Sequence, residues 1–302
     1  MNLFYMNQPM KHNYKKLRQS NMKNLLCFLV LVFELRGILT VFAEPPLPEP
    51  YTIYAVSISA GSSQGSGFIL QVSNSVYLVT ARHVLFNVNQ SPTNWPIWGT
   101  VATCTGHLPD SSSTVMTLDL TALMQSGDVR YSPNHDVALV RFENCNPTNT
   151  TLVTLLSGVS FQTKQTTFMQ TPSSLCDRFD DTVVGTDILI FGFPSSIGIA
   201  QIPQIDFDLP LLRKGIVAGK NLNRRVYILD CPSYQGNSGG PVIGKEISGN
   251  TTRFPVLGVV TEMVPYSESW QNSRLGYVNQ NISNSGYSIA EPMDAVLDLV
   301  WK

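Results

Sequence analysis

The chain has 302 residues and a formal net charge of −1, so it is long enough for one or two domains with a sizeable hydrophobic core. Its first 43 positions hold six basic residues and one acid, and the remainder carries 14 Lys and Arg against 20 Asp and Glu. An acidic surface without a basic cluster argues against nucleic acid as the main partner. The Cys and His residues lack the spacing of zinc ligands, so no metal or other cofactor is predicted.

The N-terminal region has the pattern of a secretory signal. A continuously apolar run, Leu25–Phe33, follows the basic residue Lys23, and Val41–Ala43 offers compact residues at the positions that a signal peptidase reads. Residues 1–43 are therefore predicted to be removed, and the protein is expected to be secreted or periplasmic. No stable membrane insertion is expected after this removal.

Two alternatives stay open for this region. Met22 could be the true start, because residues 1–21 are polar, basic and unlike a packed element. Residues 25–43 could instead be kept as a membrane anchor, although Glu34 and Arg36 are each costly in hydrocarbon.

The rest of the chain is typical of an all-β protein. Residues 44–50 are proline-rich and are predicted to be an exposed linker. From residue 51 onward, short β-type runs alternate with clusters of Gly, Pro, Asn and Ser, as in a sandwich or barrel. The predicted strands are Tyr54–Ile58, Phe68–Val72, Val76–Thr80, Val137–Phe142, Ile188–Phe193, Val226–Leu229 and Val256–Thr261.

Two further segments complete this prediction. The polar stretch of residues 144–171 is predicted to connect two halves of the fold. Residues 292–301 are predicted to form a terminal helix, with Glu291 and Pro292 suited to its first turn.

The most informative motif is GNSGGP at residues 236–241, directly before the apolar pair Val242 and Ile243. Glycines around a serine let the backbone turn sharply and let a substrate carbonyl approach. The N–H groups of Gly236 and Ser238 could then stabilise a developing oxyanion. A serine hydroxyl is a weak nucleophile, so this interpretation requires a histidine base and a group that orients it.

The position of the histidines relative to Ser238 in the sequence indicates which type of serine enzyme is possible. The motif also satisfies G-x-S-x-G, the nucleophile elbow of α/β-hydrolases, but that fold needs its histidine after the serine. His12, His83, His107 and His135 all precede Ser238. The remaining order is His…Asp…Ser.

His83 and Asp136 are the best partners for Ser238. His83 follows the apolar run Val76–Val79, and Asp136 opens the apolar strand beginning at Val137. Alone, His83 would be a half-buried histidine at a strand end, and Asp136 a turn residue that caps backbone N–H groups. The three motifs together, in the right order, are a strong signal.

The sequence separations between His83, Asp136 and Ser238 support their selection as partners. A gap of 53 residues between His83 and Asp136, and of 102 between Asp136 and Ser238, places the first two in one half of the fold and the serine in the other. Asp119 and Asp128 are rival orienting groups, but neither opens an apolar strand.

These residues resemble the chymotrypsin-fold serine endopeptidases, in particular the trypsin-like and HtrA-like branch. The matching segments are Gly65–Phe68, Thr80–Val84, Asp136–Leu139, Gly192–Pro194, Gly215–Val217 and Gly236–Pro241. The resemblance implies an all-β fold of two six-stranded antiparallel barrels with the active site between them and a short C-terminal helix. Barrel one would cover about residues 51–155, barrel two about 170–290, and the helix 291–302.

The resemblance also implies a mechanism and a substrate. Ser238 would be the nucleophile, His83 the base and Asp136 its orienting acid, with the amides of Gly236 and Ser238 as oxyanion hole and no cofactor. The partner would be a protein or peptide. A peptide-binding pseudo-protease and an esterase on the same fold are the alternatives.

Two departures from the family pattern stand out. Arg82 lies where the family has a small or amide residue beside the histidine, so it could narrow the cleft or alter the pKa of that histidine. The sequence after the serine does not resemble a PDZ domain, so an assembly-regulated HtrA enzyme is not expected.

By the same resemblance, the primary substrate pocket is lined by Ser233, Thr261, Met263 and Ser288. Neither Pro232 nor Ser233, which would lie at the base of the pocket, carries an acidic side chain. Met263 occupies a position in the pocket wall where the family usually has glycine. Small or medium apolar side chains are therefore expected before the scissile bond. Asn237 replaces an aspartate that binds a newly cut N-terminus in the digestive enzymes, so no second cleavage is expected to be needed for activity.

Four cysteines remain once Cys27 is removed with the signal, and an even number in an exported chain favours disulfides. Three pairings are possible, and the preferred set is Cys104–Cys145 with Cys176–Cys231. Asn149, Asn250 and Asn281 begin glycosylation sequons, which matter only in a glycosylating host.

Overall fold

The structure, a computed structural model, describes residues 54–89, 95–108, 110, 112–146, 149–164, 166–195, 204–249 and 251–301. The predicted signal region, the linker and the sequon residue Asn250 lie outside these ranges. Most of the described residues form two β-sheets. No helix in this part of the chain is long and apolar enough to cross a membrane.

The first sheet is built from residues 55–172. Its strands are β1 (Ala55–Ala60), β2 (Ser63–Val72), β3 (Ser75–Thr80), β4 (Val101–His107), β5 (Ser113–Asp119), β6 (Val129–Tyr131), β7 (Ala138–Asn146), β8 (Asn149–Leu155), β9 (Val159–Phe161) and β10 (Gln170–Pro172). They follow the order β6-β7-β3-β2-β1-β4-β5-β9, with β8 beside β7 and β10 parallel to β2. The central strands, β7-β3-β2-β1-β4-β5, are antiparallel as expected.

The second sheet closes on itself. Its strands are β11 (Asp187–Gly192), β12 (Leu211–Asn221), β13 (Val226–Asp230), β14 (Pro241–Ser248), β15 (Thr251–Arg253), β16 (Val256–Asn272) and β17 (Tyr277–Pro292). The order is β11-β12-β13-β17-β16-β14-β15, and β14 also pairs with β11. Six antiparallel strands therefore form the predicted second barrel, with β15 outside the ring. The all-β, two-barrel fold is confirmed.

Burial explains why the predicted strands form. In β2, the run Phe68–Leu70 is fully buried because alternate side chains enter two different cores. Phe68 and Leu70 face a core shared by both sheets, while Ile69 faces the interior of the first sheet. A third core, which contains Phe179 and Tyr227, fills the second barrel. The shared core holds the two halves together.

The α-helices in the described part of the chain are short: α1 (Arg82–Leu85), α2 (Leu120–Gln125) and α3 (Met293–Val300). The first two each connect two strands of the first sheet, and the third follows β17. The terminal helix is confirmed as α3, and it packs its buried face on the shared core. Arg130 of β6 donates hydrogen bonds to the carbonyls of Leu299 and Val300 at 2.9 and 3.0 Å. These bonds attach the end of α3 to the first sheet.

The connection between the halves differs from the expectation of a polar linking stretch. Residues 144–171 do lead from one sheet to the other, but they also add β8 and β9 to the first sheet and begin β10. The strand β9 pairs with β5, and β10 pairs with β2. This part of the chain is therefore structural as well as connecting.

The long hairpin of β16 and β17 was not predicted. Beyond the barrel, residues 265–272 and 277–284 pair only with each other and form a ribbon. Trp270 and Leu275 are among its exposed apolar side chains, at 52% and 72%. Its many Ser, Asn and Gln residues resemble a loop in sequence, and for this reason the prediction of β16 ended at Thr261.

The predicted disulfides are wrong. Cys104, Cys145, Cys176 and Cys231, the cysteines within the described ranges, are all free thiols. Cys104 lies on β4 and Cys145 on β7, with β3, β2 and β1 between them in the sheet. Cys176 packs against the shared core, whereas Cys231 belongs to the core of the second barrel. The structure therefore contains neither of the predicted bridges.

Candidate active site

Three different segments of the fold carry the candidate residues His83, Asp136 and Ser238. His83 is in α1, which begins two residues after β3 ends. Asp136 lies in the loop between β6 and β7, which we call the acid loop (residues 132–136). Ser238 lies in the loop between β13 and β14, the serine loop (residues 231–240). The first two residues thus come from the first sheet and the serine from the second.

The structure brings His83 and Asp136 into direct contact. His83 Nδ1 is 2.6 Å from Asp136 Oδ2, and the backbone N–H of His83 donates to Oδ1 at 3.0 Å. An ionised Asp136 keeps the proton of the imidazole on Nδ1 and leaves Nε2 as the basic atom. This arrangement suits a general base whose ring is fixed by a carboxylate.

The electrostatics of Asp136 favour its ionised form. Burial raises the pKa of this carboxyl, but the hydrogen bond and charge of His83 and the nearby charge of Arg82 outweigh burial. The pKa of Asp136 therefore lies below its usual value.

Arg82, the departure from the family pattern beside His83, contacts the acid loop. Its guanidinium donates to the carbonyls of Ser132 at 2.5 Å and of His135 at 3.2 Å. The same group lies 3.9 Å from the ring centroid of Trp95, within the range of a cation–π contact. The side chain is therefore used to hold the acid loop.

The rival carboxylates have other roles. Asp119 caps α2 by accepting a hydrogen bond of 2.9 Å from the N–H of Ala122. Asp128 is 2.6 Å from the guanidinium of Arg141 and also accepts from Ser126. These contacts account for both residues as structural groups.

The serine loop is shaped by two glycines with positive φ. Gly236 has a φ of +94°, and a Cβ there would lie 2.1 Å from the carbonyl oxygen of Phe193. Gly239 has a φ of +91°, and its Cβ would meet the carbonyl oxygen of Ser66 at 1.9 Å. Both positions require glycine. The hydroxyl of Ser238 donates to the carbonyl of Thr261 at 3.4 Å.

Two backbone N–H groups beside Ser238 are available to an oxyanion. The N–H of Ser195 donates to the carbonyl of Gln235 at 2.8 Å. In a trans peptide the N–H points opposite to the carbonyl, so the N–H of Gly236 points away from Ser195. Within the described part of the chain, the N–H groups of Gly236 and Ser238 donate to no acceptor. These are the two predicted oxyanion donors.

A family comparison agrees with this geometry. The model of the trypsin-like peptidase domain matches residues 65–247, more than half of the chain. The chain belongs to this family. No curated protein sequence matches it.

Several solved structures are similar to this peptidase domain. Deg5 is 15% identical, with 83% of this chain and 88% of Deg5 covered and a TM-score of 0.46. The thermostable serine protease AL20 from an extremophilic microorganism is 12% identical, with 82% and 95% covered and a TM-score of 0.45. The HtrA-type protease AlgW with a tripeptide is 15% identical, with a TM-score of 0.43. The match covers 83% of this chain but only 60% of AlgW.

Ser66 is a site residue of the peptidase domain that sequence reasoning missed. Its hydroxyl donates to the carbonyl of Gly236 at 2.6 Å and accepts from the N–H of Phe193 at 3.0 Å. Its backbone N–H donates to the carbonyl of Ser238 at 2.7 Å. The side chain is fully buried, so one residue of β2 fixes the serine loop from the first sheet. The available signal was a hydroxyl residue within an otherwise buried run.

Asn237 is buried at 1% exposure and orders the serine loop without a charge. Its Oδ1 accepts from the N–H of Tyr234 at 3.2 Å, and its backbone N–H donates to the carbonyl of the same residue at 2.9 Å. Its Nδ2 has no hydrogen-bond partner among the described residues. The peptidase domain thus shapes this loop with a neutral amide.

The four predicted pocket residues lie along β16, β17 and the serine loop. Ser288 is buried and donates to the carbonyl of Cys231 at 2.8 Å, and the carbonyl of the buried Ser233 accepts from Asn284 at 2.6 Å. Met263 pairs with Ser288 across the two strands and is 37% exposed, whereas Thr261 is 6% exposed.

Two cavities are lined by residues of the candidate site or of its surroundings. One of about 780 Å³ is lined by Asp136 and Thr261 together with Arg224 and Glu262. The other, of about 350 Å³, is lined by Gly65, whose Cβ would lie 2.9 Å from the carbonyl of Ser238.

Proposed function

We propose that this chain is a serine endopeptidase that hydrolyses peptide bonds with Ser238, His83 and Asp136. Membership of the trypsin-like peptidase family indicates serine protease activity. The 2.6 Å contact between His83 and Asp136 carries the residue assignment, because it fixes a base in the tautomer that a serine nucleophile needs.

The proposed first step is acylation of the serine. The hydroxyl of Ser238 turns from the Thr261 carbonyl toward Nε2 of His83 and gives up its proton there while Oγ bonds to the substrate carbonyl carbon. The N–H groups of Gly236 and Ser238 stabilise the oxyanion, each contributing about 3 kcal/mol. His83 then protonates the leaving amine as the C–N bond breaks.

Deacylation reverses these roles. Water attacks the acyl carbon and gives its proton to His83, and the proton returns to Ser238 as the ester bond breaks. Asp136 stays ionised throughout and stabilises the imidazolium. Because the proton returns to the serine, the enzyme is regenerated without a cofactor.

A fluorophosphonate probe tests this proposal directly. The wild-type chain should be labelled at Ser238 and should hydrolyse peptides, while Ser238→Ala should do neither and keep its fold. Comparison of an ester with the matching peptide separates an endopeptidase from an esterase. A folded chain that binds peptides but resists labelling would contradict the proposal and indicate a pseudo-protease.

The substrate is proposed to carry a small or medium apolar side chain before the scissile bond. The predicted pocket residues Ser233, Thr261, Met263 and Ser288 are uncharged, and Met263 reduces the space available. A peptide-library profile tests this preference. A profile dominated by Arg or Glu at that position would contradict it.

We also propose that residues 1–43 are removed on export and that the protease acts outside the cytoplasm. The apolar run Leu25–Phe33 supports this proposal. Sequencing the N-terminus of the exported protein tests it, and a chain that keeps the run would indicate an anchor.

A further inference from the structure

A second pair of a histidine and a carboxylate lies beside the acid loop. Glu291, at the end of β17, is only 7% exposed. Its Oε2 is 2.6 Å from Nδ1 of His135, and its Oε1 accepts a hydrogen bond of 3.1 Å from the N–H of Asp136. A buried carboxylate is costly unless it is paired and hydrogen-bonded. Both carboxylate oxygens of Glu291 interact with residues of the acid loop.

The sequence had placed Glu291 in the first turn of the terminal helix. The helix α3 begins at Met293, so Glu291 still belongs to β17 and its side chain is directed to the first sheet. Its bond with His135 therefore spans 156 residues and joins the two halves of the molecule.

The acid loop has no regular helix or strand, and beside its own turn hydrogen bonds it is held by contacts from other elements. Its residues lie between β6 and β7, and Arg82 of α1 holds the carbonyls of Ser132 and His135 on one side. Glu291 holds the imidazole of His135 and the N–H of Asp136 on the other. The peptide between His135 and Asp136 is thus fixed at its carbonyl and at its N–H.

We propose that Glu291 and His135 are positioning residues of the proposed protease. Glu291 fixes the backbone from which the Asp136 side chain reaches His83, and His135 keeps the Glu291 carboxylate in place. This inference rests on the proposed function, since it concerns the orientation of the proposed base. Neither residue touches the reacting atoms.

The charges around His135 support a charged pair. The hydrogen bond to Glu291 raises the pKa of His135, and the charges of Glu291 and of Asp298 on α3 act in the same direction. Burial and the charge of Arg225, which lies just before β13, oppose them, but the raising effects are larger. His135 therefore keeps its proton to a higher pH than an ordinary histidine.

Substitution of each partner tests the inference. Glu291→Gln keeps the volume and removes the charge, and we expect kcat to fall about ten-fold with KM changed less than about two-fold, because the base is slightly misplaced. His135→Leu should lose a similar factor, whereas His135→Asn should recover most of it, because its amide still donates to Glu291. Asp298→Asn is the matched control; it removes an exposed carboxylate near His135 and should leave kcat unchanged.

A second readout does not depend on activity. The downfield ¹H NMR resonance of the His83 Nδ1 proton reports the hydrogen bond to Asp136, and it should shift or broaden in Glu291→Gln but not in Asp298→Asn. If the wild-type chain were not labelled by the fluorophosphonate, the proposed function would fail, while the resonance would still show whether Glu291 orients Asp136. A folded Glu291→Gln variant with an unchanged resonance and unchanged kcat would overturn the inference.

Discussion

The two carboxylate oxygens of Asp136 bind two different parts of His83, the ring and the backbone. Oδ2 meets the imidazole of His83 and Oδ1 accepts from the backbone N–H of the same residue. The ring is therefore held relative to its own main chain. An orienting group of this kind controls both the tautomer and the direction of the base.

Replacing this carboxylate should disable the enzyme without unfolding it. We expect Asp136→Asn to lower kcat by about four orders of magnitude, because the amide favours the wrong tautomer of His83. Asp119→Asn and Asp128→Asn are the controls, since these residues cap a helix and pair with Arg141. Peptide hydrolysis measured on folded protein tests this prediction. Near-full activity of Asp136→Asn, with loss in either control, would show that the assignment is wrong.

The same carboxylate should contribute stability in a defined pH range. Because the pKa of Asp136 is lowered in the folded protein, its contribution is present above the ordinary Asp value of about 3.9 and is lost as pH falls through the folded value. The difference in Tm between the wild type and Asp136→Asn should therefore shrink in acid. Thermal melts between pH 7 and pH 2 test this, and a difference that grows in acid would contradict it.

The contribution of His135 to stability should depend on pH in the opposite direction. Its pKa is raised in the folded protein, so its stabilising charge is fully present below the ordinary value and is lost as pH rises through the raised value. The Tm advantage of the wild type over His135→Asn should be largest in mild acid and decline toward alkaline pH. An advantage independent of pH would mean that His135 contributes only a neutral hydrogen bond.

At the scale of elements, the hydroxyl of Ser66 is one of the contacts by which β2 connects the two halves. Ser66→Ala removes the bond to the Gly236 carbonyl and leaves the N–H of Phe193 without its partner. We expect kcat to fall about ten-fold, with little change in KM, because the proposed oxyanion donors lose their fixed orientation. The control is Ser75→Ala, which removes a hydrogen bond of β3 to Asn144. Equal effects of the two variants on kcat would contradict this role.

The strands that could be predicted are those with long buried runs. β3 and β7 contribute such runs, and their prediction was accurate to a few residues at each end. The strand β4 was missed because its inward residues, Ala102, Cys104 and Gly106, are small and give a weak apolar signal. The strand β5 alternates clearly, with Thr114, Met116 and Leu118 buried, and could have been found.

Some residues of the candidate site could be predicted from the sequence, and others could not. His83, Asp136 and Ser238 each lie in a local motif, so their residue types and neighbours were enough to select them. Ser66 and Glu291 act through contacts that span 127 to 170 residues. Such contacts exist only after the two sheets have packed, so the sequence around Ser66 or Glu291 does not reveal their partners.

For the whole molecule, the serine loop offers no charge to a new N-terminus. Asn237 orders the loop through neutral hydrogen bonds with Tyr234, so an inserted ammonium group would be buried without a partner. We expect residues 44–302, with extra residues fixed at the N-terminus, to be labelled by a fluorophosphonate as fully as the chain without them. Labelling that appears only after a second cleavage would contradict this prediction.

The position of Glu291 also has a consequence for protein synthesis. A chain is made from its N-terminus, so the acid loop leaves the ribosome long before the end of β17. Until that strand is made and packed, the N–H of Asp136 and the imidazole of His135 lack the carboxylate that holds them. We therefore expect a chain that lacks the end of β17 to be a poor protease even when its other strands have folded.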